Sequence, residues 1–334
     1  MVYGWPMKLS RAFSIFSSAL LVFSLLASPT FAAGNSSKNR PNENAIGYWT
    51  AERLANAIPR EFEFEPDAKS GKLVQTGKPS KGGGGTTNTA VSGANWNSGG
   101  LPLTATGKVF FTEESIDYVC SGSIVNDTNS SNLIVLTAGH CLYDNASQKF
   151  VSNFIFIPSY DNTKTSNCYI STCLPARALV AHSGFTTESA FTTKATQYDW
   201  GFAVINQPSP AATGLNLKID GFTGPTNIAY SFGYPQSSPY NGQELVYCSG
   251  GIIEDRRTSN TTWGLGCNMT GGASGGPWTA GYVSNTNPGT ASSVNSYKYS
   301  TDKNRMYGPK FNQFTQNTFT VAEAHAGTEN LKVP

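Results

Sequence analysis

The sequence predicts an all-β protein, on three grounds. From residue 104 onward, short runs of β-branched and aromatic residues are separated by turn residues. Apolar residues at helical spacing are scarce along the same stretch. Gly, Ser, Thr and Asn are plentiful, as a chain with many tight turns requires. Many short strands with few helical periods leave a sandwich or barrels as the architecture. No repeat of fixed period is visible.

The runs fall into two sets. The first comprises residues 108–111, 118–125, 132–137, 154–157, 178–181 and 202–205. The second comprises 228–232, 244–247, 277–282 and 293–299, and the Pro- and Gly-rich residues 207–224 lie between the sets. A C-terminal helix is expected over 311–326, and a short helical piece over 45–57.

The N-terminus has the marks of a secretory signal over residues 1–32. Lys8 and Arg11 make a short basic region, and Met7 just before them is an alternative start. Residues 12–27 are apolar except for serines, a run too short to span a bilayer. Ser28-Pro29-Thr30-Phe31-Ala32 puts small residues where a signal peptidase reads them, so cleavage is expected after Ala32. Residues 33–103 contain polar, proline-rich and glycine-rich stretches, including Gly82-Gly83-Gly84-Gly85, and are expected to be a propeptide or flexible linker. No later segment is apolar enough to cross a membrane.

Charged residues make up 13% of the chain and the net charge is +2, which excludes the basic footprint of a nucleic-acid binder. The six cysteines, in an exported chain, imply disulfides. Proximity favours Cys168 with Cys173 and leaves the other pairings open. There is no pair of CxxC units and no histidine at ligand spacing, so no metal or cofactor is expected.

Three short motifs carry chemistry. Thr137-Ala138-Gly139-His140-Cys141 sets a histidine on a tight turn at a strand end, where a general base is held firmly. Tyr198-Asp199-Trp200 leads a single carboxylate into an apolar strand, where it needs a partner such as an imidazole N–H. Asp144 and Asp161 are competitors, but both stand in polar loops expected to be exposed. Gly271-Gly272-Ala273-Ser274-Gly275-Gly276-Pro277 surrounds one serine with glycines. The N–H groups of Gly272 and Ser274 can then point at a common spot, as an oxyanion hole requires. Alone, each motif also fits a structural histidine, a turn aspartate or a glycine-rich loop.

Taken in the order His, Asp, Ser, each where strand meets loop, the motifs resemble the trypsin-like, or chymotrypsin-fold, serine peptidase family. The matching residues are TAGHC at 137–141, the Asp199 strand entry and GGASGGP at 271–277, with Ser121-Gly122-Ser123 after Cys120. The resemblance spans roughly residues 104–299 and is nearest the secreted glutamyl-endopeptidase-like branch of bacteria and fungi. It implies two antiparallel six-stranded β-barrels, over about 104–206 and 220–300 of a 104–334 domain, with 301–334 as a C-terminal segment. It also implies a His140, Asp199, Ser274 triad in the cleft between them, acting on polypeptides by acyl transfer. Cys120 would pair with Cys141, leaving Cys248 for Cys267. Residues 294–297 resemble the strand that binds substrate backbone. The implied pocket lining is Asn268, Met269, Thr270, Asn295, Ser296, Tyr297 and Lys298. A secreted monomer is expected.

Two departures stand out. Ala273 occupies the position where animal digestive members carry an aspartate, so no buried amine–carboxylate pair is expected to form the oxyanion hole. Asn268, six residues before the serine, is not acidic, so strong Arg/Lys preference is not expected; Lys298 near the mouth is expected to be solvated. GASGG also fits the G-x-S-x-G elbow of α/β-hydrolases, but only His325 follows it and alternating β-α units are missing. A non-catalytic secreted binding protein on the same fold is the other alternative. His182 has no motif around it and is expected on the surface or a pocket wall. Sequons start at Asn35, Asn126, Asn129, Asn145, Asn260 and Asn268.

Overall fold

Six strands close into an antiparallel barrel whose ring order is Ile116–Val125, Thr106–Glu113, Ser152–Pro158, Leu174–His182, Gly201–Ile205 and Leu133–Thr137, the last pairing back with the first. The computed structural model describes residues 1, 45–65, 67–74, 86–87, 90–128, 132–161, 168, 173–206 and 214–334. The signal-peptide expectation and the Gly82–85 run lie outside these residues. Leu133–Thr137 and Gly201–Ile205 are buried along their whole length, which is why they read as unbroken apolar runs. One face of such a strand fills the barrel; the other needs a cover. The helix Gln313–Ala324 supplies it, with Phe319 against Phe202 at 5.3 Å between ring centroids. Its buried positions Thr315, Thr318, Phe319 and Ala322 follow helical spacing, and Asn312 and Thr315 form a capping box at its start.

The second set runs Thr290–Val294, Pro277–Ala280, Ile228–Gly233, Val246–Glu254, Thr262–Gly266 and Asp302–Pro309, all neighbours antiparallel. Its two ends meet through side chain to backbone contact, Ser293 Oγ donating to the Pro309 carbonyl at 2.7 Å. Tyr297–Tyr299 pairs with Asp302–Pro309. The run expected over 293–299 is therefore two strands, broken at Asn295 and Ser296. The three disulfides are Cys120–Cys141, Cys168–Cys173 and Cys248–Cys267.

The flexible-linker expectation does not hold for the described parts of 33–103. Residues 45–56 make two short helices, Ala45–Tyr48 and Ala51–Asn56, with the side chain of Thr50 capping the second. Trp49 is buried and its indole N–H donates to the Asn153 carbonyl at 2.6 Å. Ile58–Pro59 adds a parallel strand to Ile116–Val125, and Phe62–Phe64 adds one to Tyr297–Tyr299. Ala90–Asn95 pairs antiparallel with Val246–Glu254. The mean composition of the region is polar, but a few large apolar side chains (Trp49, Leu54, Phe62 and Phe64) are enough to anchor it.

Candidate active site

His140 sits in the single helical turn Gly139–Cys141, directly after Leu133–Thr137. A Cβ on Gly139 would lie 3.1 Å from Asp199 Oδ1, so the glycine lets backbone and carboxylate approach closely. Asp199 ends the turn Ala195–Tyr198 and enters Gly201–Ile205, the strand paired with the one carrying His140. Its Oδ2 lies 2.8 Å from His140 Nδ1, and its Oδ1 accepts from the His140 N–H at 2.7 Å. Ser296 Oγ donates to Oδ2 at 2.5 Å. Burying a carboxylate is costly unless its oxygens are hydrogen-bonded, and here both are. His140 Nε2 is buried and makes no hydrogen bond.

Ser274 stands on a turn that needs glycine on either side: Gly272 has φ +98° and Gly275 φ +81°. A Cβ on Gly275 would come within 2.1 Å of Thr137 Oγ1 and 2.4 Å of the Ser121 carbonyl. The Ser274 turn is thus pressed on the strand end that carries His140. Ser121 ties the two barrels here, its N–H donating to the Ser274 carbonyl at 2.7 Å and its Oγ to the Gly272 carbonyl at 2.8 Å.

The expected pocket residues divide. Asn268 is partly exposed; its side-chain oxygen accepts from the Tyr240 hydroxyl and its N–H donates to Ser92 Oγ at 3.1 Å. Met269 is buried, and Thr270 Oγ1 donates to the Ser237 carbonyl at 2.6 Å. Asn295 does not line an opening. It is fully buried, with Nδ2 donating to the carbonyls of Phe232 and Ala273, both at 3.0 Å, and Oδ1 accepting from Ser231 Oγ and Trp278 Nε1, both at 2.7 Å. These four bonds use the whole amide and brace the backbone one residue before Ser274. Tyr297 is also buried, its hydroxyl donating to Asp255 Oδ2 at 2.7 Å.

Lys298 is not solvated as expected. It is buried, with Nζ donating to the Cys267 carbonyl at 3.0 Å, and burial pushes its ammonium down to about 8. Its charge is faced by Glu61, whose carboxyl burial pushes up to about 7 while the Gly271 backbone hydrogen-bonds it. Two further expectations change. Asp144 is buried rather than exposed, because Arg60 pairs with it at 3.1 Å. His182 is a buried structural residue, stacked on Tyr198 and accepting the Gly184 N–H at 3.0 Å.

Sequence reasoning missed Arg60, Glu61, Phe62 and Phe191. Phe62 packs edge-on against His140 and stacks on Phe191 with centroids 4.3 Å apart. The alternation Glu61-Phe62-Glu63-Phe64 was the available signal, since period two marks a strand. Cys120, His140 and Cys141 bring ligand-type atoms together, but both sulfurs are tied in one disulfide and offer no thiolate to a metal.

A β-rich chain with one closed six-stranded barrel, a second six-stranded set and a His–Asp couple beside a glycine-framed serine has the class features of a double-barrel serine protease. The family model for lysyl endopeptidase, C-terminal domain, matches residues 89–231. The crystal structure of protease Anisep from Arthrobacter nicotinovorans is 36% identical, covering 67% of this chain and 98% of that one, with a TM-score of 0.57. A thermostable serine protease, AL20, from an extremophilic microorganism is 33% identical over 67% of this chain and 98% of its own, with a TM-score of 0.56. A Glu endopeptidase, 15% identical over 72% of this chain and 98% of its own, shares the fold with a TM-score of 0.52. No curated protein matches the chain by sequence. The chain belongs to the chymotrypsin-fold serine protease family.

Proposed function

We propose that the protein is a secreted serine endopeptidase that hydrolyses peptide bonds through an acyl-enzyme, with His140, Asp199 and Ser274 as its triad. Ser274 Oγ attacks the scissile carbonyl carbon while His140 Nε2 takes its proton. The N–H groups of Gly272 and Ser274 stabilise the oxyanion. The tetrahedral intermediate collapses, the C–N bond breaks, and His140 gives the proton to the leaving amine. Water then repeats the sequence on the ester and frees Ser274. Asp199 keeps Nδ1 protonated and stabilises the imidazolium. No cofactor enters these steps.

The observation that carries this reading is the buried 2.8 Å His140–Asp199 couple beside the Ser274 turn. The unbonded Nε2 of His140 is consistent with it, since such bonds often tighten only when substrate is bound. Three disulfides suit an oxidising, extracellular setting. A fluorophosphonate probe should label Ser274. Ser274→Ala should lower hydrolysis of an unfolded protein substrate by about 10⁶-fold. Full hydrolysis by the alanine variant would remove the assignment.

A further inference from the structure

We propose that residues 57–64 are an inhibitory strap, bound across the candidate site as an added strand on the walls of both barrels, and that its seat also accepts the same segment supplied as a separate peptide. This rests on the proposed serine-protease reading and adds the regulation of that site.

The strap enters beside the first barrel, where Ile58 and Pro59 pair with Tyr118 and Val119 and the Arg60 N–H donates to the Val119 carbonyl at 3.2 Å. It leaves beside the second, where Phe62, Glu63 and Phe64 pair with Tyr297, Lys298 and Tyr299. Strand addition of this kind is a general mode of peptide recognition, backbone pairing giving affinity and side-chain pockets selectivity. Between these points the strap packs on His140 and beside the Ser274 loop at Gly271, and both groups are buried: His140 is 1% exposed and Ser274 4%. The ring of Phe62 meets the imidazole edge-on.

The seat is fitted to this segment. Arg60 and Glu61 are both buried, and buried charges are costly unless partnered. Arg60 pairs with Asp144 and Glu113, while Glu61 has the Gly271 backbone as its hydrogen-bond partner and the charge of Lys298 facing it. Gly271 has room for nothing more, since a Cβ there would come within 2.7 Å of Glu61 Oε2 and 2.8 Å of Pro59 Cβ. The occupancy is unproductive. Attack needs an amide carbonyl set against the nucleophile loop. The Glu61 carbonyl instead accepts from the Val74 N–H at 2.9 Å, and what meets the loop is a side-chain carboxylate.

The test compares full-length protein with Glu61→Lys, which sets like charge against Lys298. Ser274 labelling by a fluorophosphonate probe and amide exchange over residues 57–64 are measured together, with thermal unfolding to verify the fold. Glu61→Lys should lose strap protection and label at least about tenfold faster, because labelling scales with the open fraction. A synthetic peptide of residues 57–64 should restore slow labelling. Should Glu61→Lys not fold, Phe62→Ser serves in its place. Wild type labelling as fast as the variant, with its strap amides protected, overturns the strap as inhibitor and leaves the nucleophile standing. Strap release and peptide rebinding without labelling in either protein support the seat and remove the serine-protease reading instead.

Discussion

The ring of Phe62 meets the imidazole of His140 edge-on, with centroids 5.3 Å apart. The two residues stand far apart in the chain, one in the N-terminal segment and one on the first barrel. Their contact places an element expected to be loose directly on the candidate general base. Its neighbour Glu61 is hydrogen-bonded by the Gly271 backbone in the Ser274 loop and faces the charge of Lys298.

Strap docking should depend on pH through Glu61. The groups facing it are Lys298, Glu63, Lys303 and the Gly271 backbone. Burial raises its carboxyl to about 7, above its ordinary value of 4.5, so the docked state holds a proton that the released state gives up. That contribution is fully present below about pH 4.5 and is lost as pH rises through about 7. Lys298, pushed down to about 8, acts in the opposite sense only above that pH. Amide protection over 62–64, corrected for intrinsic exchange, should fall between pH 5 and 7 in the wild type. It should stay flat in Glu61→Gln.

Asp199→Asn should keep the fold and lower kcat by ~10⁴-fold, because the amide no longer holds the Nδ1–H tautomer. Ser296→Ala removes one hydrogen bond to the same carboxylate and should lower kcat by about tenfold with KM unchanged. Steady-state kinetics on a peptide substrate, after the strap is released, separate the two.

Asn295→Leu would strand Ser231 Oγ and Trp278 Nε1 in a dry interior and take one donor from the carbonyls of Phe232 and Ala273, the latter keeping the Gly276 N–H. The expected loss is roughly 3–5 kcal/mol, read from urea unfolding. Because Ala273 precedes Ser274, probe labelling of the folded fraction should also slow.

Replacing Cys120 and Cys141 together with alanine opens a loop with a sequence separation of 21. The expected cost is about 3 kcal/mol, seen as a lower denaturation midpoint. The bond ties the strand bearing Ser121 to the turn bearing His140, so activity should fall more steeply with temperature than in the wild type.

Much of the candidate site is legible in the sequence alone. His140, Asp199 and Ser274 each stand in a short motif whose neighbours serve a local purpose: glycines for tight turns and close approach, an apolar strand to hold the carboxylate's position. The same locality made the strands of the first barrel legible, since Leu133–Thr137 and Gly201–Ile205 are unbroken apolar runs. Asn295 was misplaced because its hydrogen-bond partners come from three other segments, and nothing near it in sequence names them. The sequence alone places Lys298 and Asp144 in solvent for the same reason; the charges that face them, Glu61 and Arg60, lie in the N-terminal segment.

Local chemistry therefore determined the all-β class, the three motifs that hold His140, Asp199 and Ser274, and the Cys168–Cys173 pairing, because each depends on residues close together along the chain. Tertiary structure alone decided what covers those side chains. A strand such as Phe62–Phe64 gains little by itself. It becomes stable only when Tyr297–Tyr299 offers backbone partners and the two barrels together offer apolar and charged seats, and that meeting of distant surfaces leaves no periodic trace in the sequence.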